Sequence, residues 1–270
     1  MSDSENPYRT PSVTVLNLEK IPTNASYAAP ARTVNAGHGS QWIGDGWRLF
    51  KDEPLMWFAA LLLVIGFSFV LGLIPVLGSL ASMLLAPSLT VGILAFGRGH
   101  ARQGRADIGN LFAGFSGEKI GPLMIMALLY LSIIVVTVLV MVVFMVIALG
   151  GFSALGSLES EEGLKSALLG TGGLVLVLGF LVFMAAMMVI MAAYWFAPGL
   201  IFYAGLGPVD AMKESFMACM RNWLPFLVYS LLATVLMVAA FIPFGLGLLV
   251  FFPVMMATMY PGFEDLFGRE

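Results

Sequence analysis

The chain has 270 residues, of which 60% are hydrophobic and 11% are charged, and its formal net charge is −3. Soluble domains are about half apolar and about a quarter charged, so this composition, with a mean hydropathy of +0.95, indicates a membrane protein. The small net charge and the lack of a dense basic tract argue against a nucleic-acid partner, and the single cysteine, Cys219, excludes an internal disulfide.

The N-terminal 36 residues are polar and contain four prolines, which predicts a disordered tail over 1–36. No short apolar segment follows Met1, so we expect no cleaved signal peptide. The first membrane span would then serve as an uncleaved insertion signal.

Four long tracts of the chain contain no Asp, Glu, Lys or Arg: 54–97, 120–158, 166–209 and 222–263. A bilayer core excludes charge, and a helix of about 20 apolar residues crosses it. The first and last tracts are twice that length, and each has a Pro–Gly break, at Pro75 and Pro243, where a helix ends. The tracts predict six spans, at about 55–73, 78–98, 121–149, 170–196, 223–241 and 245–261.

These spans define an all-α polytopic membrane protein of three helical hairpins, with a membrane domain over 37–263 and a C-terminal tail at 264–270. The turns at Pro75 and Pro243 are short and uncharged, which is compatible with a position in the interface or below it. Beyond Ala197-Pro198 the apolar sequence continues, so we expect a kinked helix that ends at Gly205 or Gly207.

Charge asymmetry predicts the orientation of the spans. Twelve of the thirteen basic residues lie in segments that six spans place on one face, and Lys165 alone lies on the other, near Glu159, Glu161 and Glu162. Because basic residues are retained on the inner face, we expect both termini to be cytoplasmic.

Three parts of the sequence share one layout, in which an amphipathic stretch precedes a proline, a span, and a second span with its own proline. The first prolines are Pro54, Pro122 and Pro225, and the second are Pro87, Pro198 and Pro253. Proline is favoured in the first turn of a helix, so the first set marks span starts. The layout favours duplication of a hairpin, and we expect the amphipathic stretches to lie flat on the cytoplasmic interface.

Several short motifs are distinctive: Gly46-Trp47-Arg48-Leu49-Phe50, Pro54-Leu55-Met56-Trp57, Ile74-Pro75-Val76-Leu77-Gly78, Asn110-Leu111-Phe112-Ala113-Gly114-Phe115 and Gly207-Pro208-Val209-Asp210-Ala211. The chain resembles, over about 36–262, a family of uncharacterised bacterial inner-membrane proteins that share such motifs. The resemblance implies a multi-pass protein of the bacterial inner membrane and no site residues. More loosely, the layout is similar to the membrane domain fused to glycerophosphodiester phosphodiesterases, whose catalytic domain is absent from this sequence.

The ionisable residues suggest little chemistry. His38 and His100 are the only histidines, which argues against a metal site, and we interpret both as solvated surface residues. The carboxylates at Asp52-Glu53, Glu159 to Glu162 and Glu264-Asp265 are typical of solvated loops. The eighteen methionines favour adaptable packing over a metal path, so we expect no cofactor.

Two basic or amphipathic segments are candidates for binding. Arg98, Arg102 and Arg105 follow the second span among glycines and could contact a lipid phosphate, although they could also only set the topology. The stretch from Asp210 to Arg221 places Met212 and Phe216 on one face, which favours docking on the membrane surface over binding a partner helix.

Three functions remain open from the sequence. The spans contain no ionisable group, which favours a non-enzymatic scaffold, accessory or lipid-organising protein that binds membrane lipids, a membrane protein partner or its own copies. The alternative is a transporter or channel for an apolar or neutral solute, if the helices are interrupted at Pro87, Pro198 and Pro253. The third is an enzyme that acts on lipid through His100, Asp107 or Glu118.

Overall fold

The computed structural model describes residues 27–148, 161–162, 165 and 171–269, which form helices and no β-strand. The all-α class is therefore confirmed, whereas residues 1–26 and Glu159 lie outside the described ranges. The helices are α1 (His38–Asp52), α2 (Pro54–Gly72), α3 (Leu77–Gln103), a 3-10 helix (Ile108–Phe115), α4 (Ile120–Ala148), α5 (Thr171–Trp195), α6 (Ala197–Tyr203), α7 (Pro208–Arg221), α8 (Trp223–Phe241) and α9 (Leu248–Phe267).

Five stretches of the described chain are long and apolar enough to cross a membrane: Pro54–Gly72, Leu77–Gln103, Ile120–Ala148, Gly173–Tyr203 and Trp223–Phe241. They match the first five predicted spans. The sixth predicted span, 245–261, lies in α9, which is not among them. Helix α9 begins later than predicted and continues through Pro261 to a polar turn with Glu264 and Asp265, so only its first half has the character of a span.

The prolines act differently in the three hairpins α2–α3, α4–α5 and α8–α9. Pro54 occupies the first position of α2, where its missing N–H costs no hydrogen bond. Pro87 and Pro253 lie inside the continuous helices α3 and α9, so the predicted interruptions there are wrong. At Pro198 the helix does break, between α5 and α6, and the chain reaches the left-handed Gly205 soon after, as predicted.

The protein core consists mainly of the segments that follow the second proline of each hairpin. In α3 nearly every residue from Pro87 to His100 is buried, and in α6 the buried residues include Leu200 and Ile201. In α9 the buried residues run from Pro253 to Phe267. These three segments meet at one end of the bundle, together with α1 and most of the charged residues, and we call this the charged end.

The spans away from the charged end have few protein contacts. In α4 only Leu123, Met126 and Ala127 are buried, all near its start, while valines such as Val140 and Val143 further along are more than half exposed. These side chains are apolar and continuous along the helix, as in a helix that is long and apolar enough to cross a membrane. The hairpins are therefore joined at the charged end and separate toward the opposite end.

Helix α1 packs on the protein through one face and presents its charges on another. Its buried residues, Gly39, Trp42, Gly46 and Phe50, recur at helical spacing. A Cβ added at Gly46 would lie 2.5 Å from the Thr258 side chain, so α1 approaches the α9 backbone closely. The predicted interfacial helix thus exists and forms part of the core.

The predicted stretch at 108–115 does not lie flat on a surface but runs back along α3. Gly99, Gly92 and Ser88 of α3 meet Asn110, Leu111 and Gly114 in turn. A Cβ at Gly92 would be 1.9 Å from the Leu111 carbonyl oxygen, so only glycine permits this approach. The contact runs from Ser88 to Gly99, twelve residues of α3, or about 16 Å at 1.5 Å per residue.

The two chain ends described here are ordered against each other. The segment 27–36, which we name the strap, was expected to be disordered, yet Tyr27 and Ala31 are buried in the core. Residues 264–267, expected in a tail, belong to α9, and Leu266 and Phe267 are fully buried. For these segments the predicted boundaries are wrong. Each segment is mostly polar, and its composition gives no sign of the few apolar residues that pack in the core.

Candidate functional site

The carboxylate of Glu264, in the last turn of α9, binds two side chains from distant parts of the sequence. The Tyr27 hydroxyl donates a hydrogen bond to its Oε2 at 2.5 Å, and Arg102 donates to its Oε1 at 3.1 Å. Burial and this hydrogen bond raise the pKa of Tyr27 above its ordinary value, so the phenol stays neutral. Glu264 therefore links the strap to the end of α3.

Asp265, the next residue, connects α9 to α1 and to the strap. Its Oδ2 accepts a hydrogen bond from Trp42 Nε1 at 2.8 Å and lies 2.8 Å from His38 Nδ1. Arg32 donates to the Asp265 backbone oxygen at 2.7 and 3.0 Å. The interpretation of His38 and this carboxylate pair as merely solvated is wrong, because all three belong to one network.

Backbone bonds fix the strap along the last turn of α9. Ala28 N–H donates to the Phe267 oxygen at 3.0 Å, and Arg32 N–H donates to the Leu266 oxygen at 2.8 Å. In return, Arg269 donates to the Pro30 oxygen at 2.7 Å. The strap is thus paired with α9 by main-chain as well as side-chain groups.

Asn222, between α7 and α8, fixes the other end of the strap. Its Oδ1 accepts from Val34 N–H at 2.9 Å, and its Nδ2 donates to the oxygens of Arg32 and Ala218, both at 3.0 Å. The residue is fully buried, so these bonds satisfy an amide that has no access to water.

Arg98 is buried beneath the strap. Its guanidinium carbon lies 5.4 Å from the ring centre of Tyr27 and 5.2 Å from that of Tyr203, a cation–π arrangement. The residue is 9% exposed, and its Nε has no hydrogen-bond partner among the described residues. Arg98 is therefore directed into the core and not toward a membrane surface.

The three arginines predicted to contact a lipid phosphate have three different surroundings. Arg98 is buried, Arg102 is exposed and paired with Glu264, and Arg105 is exposed beyond the left-handed Gly104 that ends α3. The structure does not join them into one exposed cluster. A phosphate contact by Arg102 and Arg105 stays a prediction.

His100 is buried at 2% exposure, so its interpretation as a solvated residue is wrong. Trp57 Nε1 donates to His100 Nδ1 at 3.2 Å and to the Leu49 oxygen at 3.1 Å. Helix α3 continues five residues past the predicted span end at 98, which places His100 against α2. Asp107, grouped with His100 in the enzyme alternative, accepts from Gly109 N–H at 2.8 Å and caps the 3-10 helix.

A cleft of about 790 Å³ opens at the charged end beside this network. Its polar lining carries both signs of charge in similar numbers: Arg32, Asp45, Arg48, Asp52, Arg102, Glu264, Asp265 and Arg269. Most of these groups are hydrogen-bonded to one another or to backbone oxygens. Within the described residues, no three His, Cys, Asp or Glu side chains are grouped to hold a metal ion.

Helix α7 covers the break between α5 and α6. Ser215 Oγ accepts from Phe196 N–H at 2.9 Å and donates to the Ala192 oxygen at 2.7 Å, satisfying groups that a continuous helix would pair. Of the face expected to dock on the membrane, Met212 is buried and Phe216 and Cys219 are half-buried against the protein, whereas Met220 is exposed. Burial raises the pKa of Cys219 to about 12, so its thiol is protonated and inert.

The helical hairpins and the apolar spans define an all-α polytopic membrane protein. A search of curated proteins finds a probable inner membrane protein of Burkholderia thailandensis, 31% identical over 225 residues, which cover 80% of this chain and 79% of the relative. The chain belongs to the family of that inner membrane protein. No protein-family model matches the sequence, and no solved structure matches it. The looser similarity to the phosphodiesterase membrane domain stays a prediction.

Proposed function

We propose that the protein is a non-enzymatic membrane protein that organises lipid around a fixed core at its charged end. The observation that supports this best is the difference in burial along the spans. In an apolar stretch of α3, 44% of the residues are buried, whereas none of the residues is buried in the corresponding stretch of α4. A protein whose spans leave most of their surface to lipid is suited to ordering lipid.

Two open grooves between the spans provide apolar surface for acyl chains. One, of about 420 Å³, lies between α4 and α5 and is lined by residues such as Phe144, Val182 and Ala186. The other, of about 620 Å³, lies between α1 and the α8–α9 hairpin, where Trp47 and Val250 line it. Apolar grooves of this size that face a bilayer are filled by hydrocarbon.

The pairing of the ionisable groups supports a structural role at the charged end. Glu264, Asp265, His38 and Arg102 each have a side-chain partner, and His100 is enclosed by Trp57. A catalytic acid or base needs free access to its substrate. The alternative of a transporter has less support, since Pro87 and Pro253 lie inside continuous helices.

Purification from native membranes, with mass spectrometry of lipids and proteins, tests the proposal. We expect phospholipid to be enriched over a control protein with six spans, and Ala186→Phe, which fills the α4–α5 groove, to reduce it. Leu181→Phe is the matched control, because Leu181 is 57% exposed and does not line the groove. Equal lipid in all samples would refute the proposal, and a stoichiometric protein in place of lipid would favour an accessory subunit.

The orientation proposed from the charges places the charged end and both termini in the cytoplasm. A reporter at Arg102, at the end of α3, should then indicate the cytoplasm. A reporter at Glu161, in the connection between α4 and α5, should indicate the opposite side. The reverse pattern would refute the orientation and leave the fold unaffected.

A further inference from the structure

The turns of the α2–α3 and α8–α9 hairpins, opposite the charged end, present apolar side chains on all sides. Val76 is 72% exposed in the first turn, and Ile242 and Phe244 are 79% and 100% exposed in the second. We propose that both turns end inside the hydrocarbon of the leaflet far from the charged end and contact acyl chains there. This inference does not depend on the proposed function.

Three of the four backbone N–H groups of the first turn, those of Ile74, Leu77 and Gly78, form internal hydrogen bonds. Leu77 N–H donates to the Pro75 oxygen at 2.7 Å, Gly78 N–H to the Ile74 oxygen at 2.8 Å, and Ile74 N–H to the Leu71 oxygen at 3.1 Å. Pro75 itself has no N–H to satisfy. Hydrocarbon offers a backbone polar group no partner, so a turn there depends on internal hydrogen bonds of this kind, whereas a turn in water can bond to solvent.

The same turn accepts an unfavourable backbone conformation to form these bonds. Val76 has φ 63° and ψ −60°, the conformation of a γ-turn closed by the bond from Leu77 to Pro75. A β-branched residue is strained at positive φ. Water would remove the need for this bond, so the strained turn is favoured where water is absent.

The second turn repeats this design with different residues. Phe244 has φ 55°, Gly245 N–H donates to the Phe241 oxygen at 3.2 Å, and Leu246 N–H donates to the Pro243 oxygen at 3.1 Å. Pro243 again removes a donor. Two hairpins far apart in sequence thus have uncharged turns with several internal backbone hydrogen bonds and the same order, Ile-Pro followed by a residue at positive φ.

Glycines close both hairpins just beyond their turns. A Cβ at Gly78 would lie 1.6 Å from the Leu71 oxygen, and one at Gly247 would lie 2.6 Å from the Ala240 Cα. At these glycines the backbone of one side of the hairpin is therefore covered by the backbone of the other side. The hairpins are therefore compact up to their tips, as a segment without solvent requires.

Helix length limits how far these hairpins extend. Helices α2 and α8 have 19 residues each, or about 28 Å, and begin directly after the polar residues Glu53 and Asn222. A hydrocarbon core of about 30 Å is therefore long enough to contain both helices, which end directly before the turns. Helix α4 has 29 residues, or about 43 Å, and its connection to α5 carries the ion pair of Lys165 and Glu161 at 2.7 Å, which belongs in water.

The test uses the full chain with Cys219→Ala and one new cysteine, in vesicles, with membrane-impermeant maleimide on the far side. We expect Val76→Cys and Phe244→Cys to be labelled at least ten times more slowly than Glu161→Cys, and to reach the same rate after denaturation. A thiol in hydrocarbon also resists the deprotonation that the reaction needs. Labelling of all three at similar rates in the membrane would overturn the inference.

A second measurement keeps the test decisive if those variants fold poorly. A bimane fluorophore on Leu77→Cys or Leu246→Cys, in vesicles whose lipids are brominated on the part of the acyl chain nearest the headgroup, should be quenched by the bromine and not by aqueous iodide. Quenching by iodide alone would place the turns in water and overturn the inference. Lipid enrichment during purification is a separate readout, so the proposed function and this inference can fail independently.

Discussion

The charged end and the opposite end of this bundle are built from the same apolar residues but differ in what covers those residues. At the charged end, Phe96, Phe263 and Phe267 are almost wholly buried against other protein side chains. At the opposite end Phe69, Phe241 and Phe244 are 58–100% exposed. The difference shows that hydropathy identifies an apolar environment without distinguishing a protein core from a lipid surface.

The largest effect is expected where backbones touch within the charged-end core. Gly92→Ala would place a Cβ 1.9 Å from the Leu111 oxygen, whereas Gly66→Ala, toward the opposite end of α2, would meet no atom within 4 Å. We expect Gly92→Ala to lower the free energy of unfolding in mild detergent by about 3 kcal/mol. Gly66→Ala should be neutral or slightly stabilising. Equal free energies of unfolding for the two variants would contradict the difference in packing between the two ends.

A smaller loss is expected from the network around Glu264. Glu264→Ala removes the acceptor for Tyr27 and Arg102 and should lower the free energy of unfolding by about 2 kcal/mol. It should also expose the strap to protease, as mapped by limited proteolysis. The control is Glu161→Ala, whose pair with Lys165 is exposed, and we expect no measurable change there. An unchanged strap in Glu264→Ala would show that the backbone bonds alone hold it.

Alkaline pH should weaken the charged end through Tyr27. Its pKa is raised in the folded state, mainly by burial, so its stabilising contribution is complete below about pH 10 and is lost as the pH rises further. By pH 11 the wild type should lose up to about 1 kcal/mol more than Tyr27→Phe, which cannot ionise there. Parallel pH profiles of the two proteins, measured by unfolding in detergent, would contradict this.

The smallest effect is expected at the opposite end. Leu139, in α4, is 58% exposed in a stretch that is long and apolar enough to cross a membrane. Leu139→Ala should change the free energy of unfolding by less than about 0.5 kcal/mol. Leu200→Ala, in the core segment α6, is the matched control and should cost about 3 kcal/mol. A large loss for Leu139→Ala would indicate that another helix, and not lipid, covers this surface.

The spans were predictable because their signal is local. Helix α8 was expected at 223–241 and occupies Trp223–Phe241, since a charge-free run bounded by polar residues and a Pro–Gly break determines both ends. The bounds of helix α9 were less predictable. The apolar residues of its first half have the character of a span, whereas those of its second half pack in the protein core.

The network at the charged end could not be predicted in the same way. Asp265 and His38 are 227 residues apart, and neither has a local pattern that identifies the other as a partner. The burial of His100 was not predicted because the flanking arginines and glycine are typical of a solvated loop. Its burial results from the contact with Trp57 of α2, which is distant in sequence. One signal was available: Phe263, Leu266 and Phe267 surround the acidic pair at helical spacing, which is typical of a buried helix end.

The pairing of the strap with α9 has a consequence for biosynthesis. Ala28 and Arg32 bond to Phe267 and Leu266, so a segment translated before the first span is paired only after the last helix has been translated. Until α9 has been inserted, Tyr27 lacks Phe263 and Glu264, which lie against it. The early hairpins must therefore persist in the membrane with an unfinished charged end, and ribosome-bound nascent chains that stop before residue 260 should keep the strap accessible to protease.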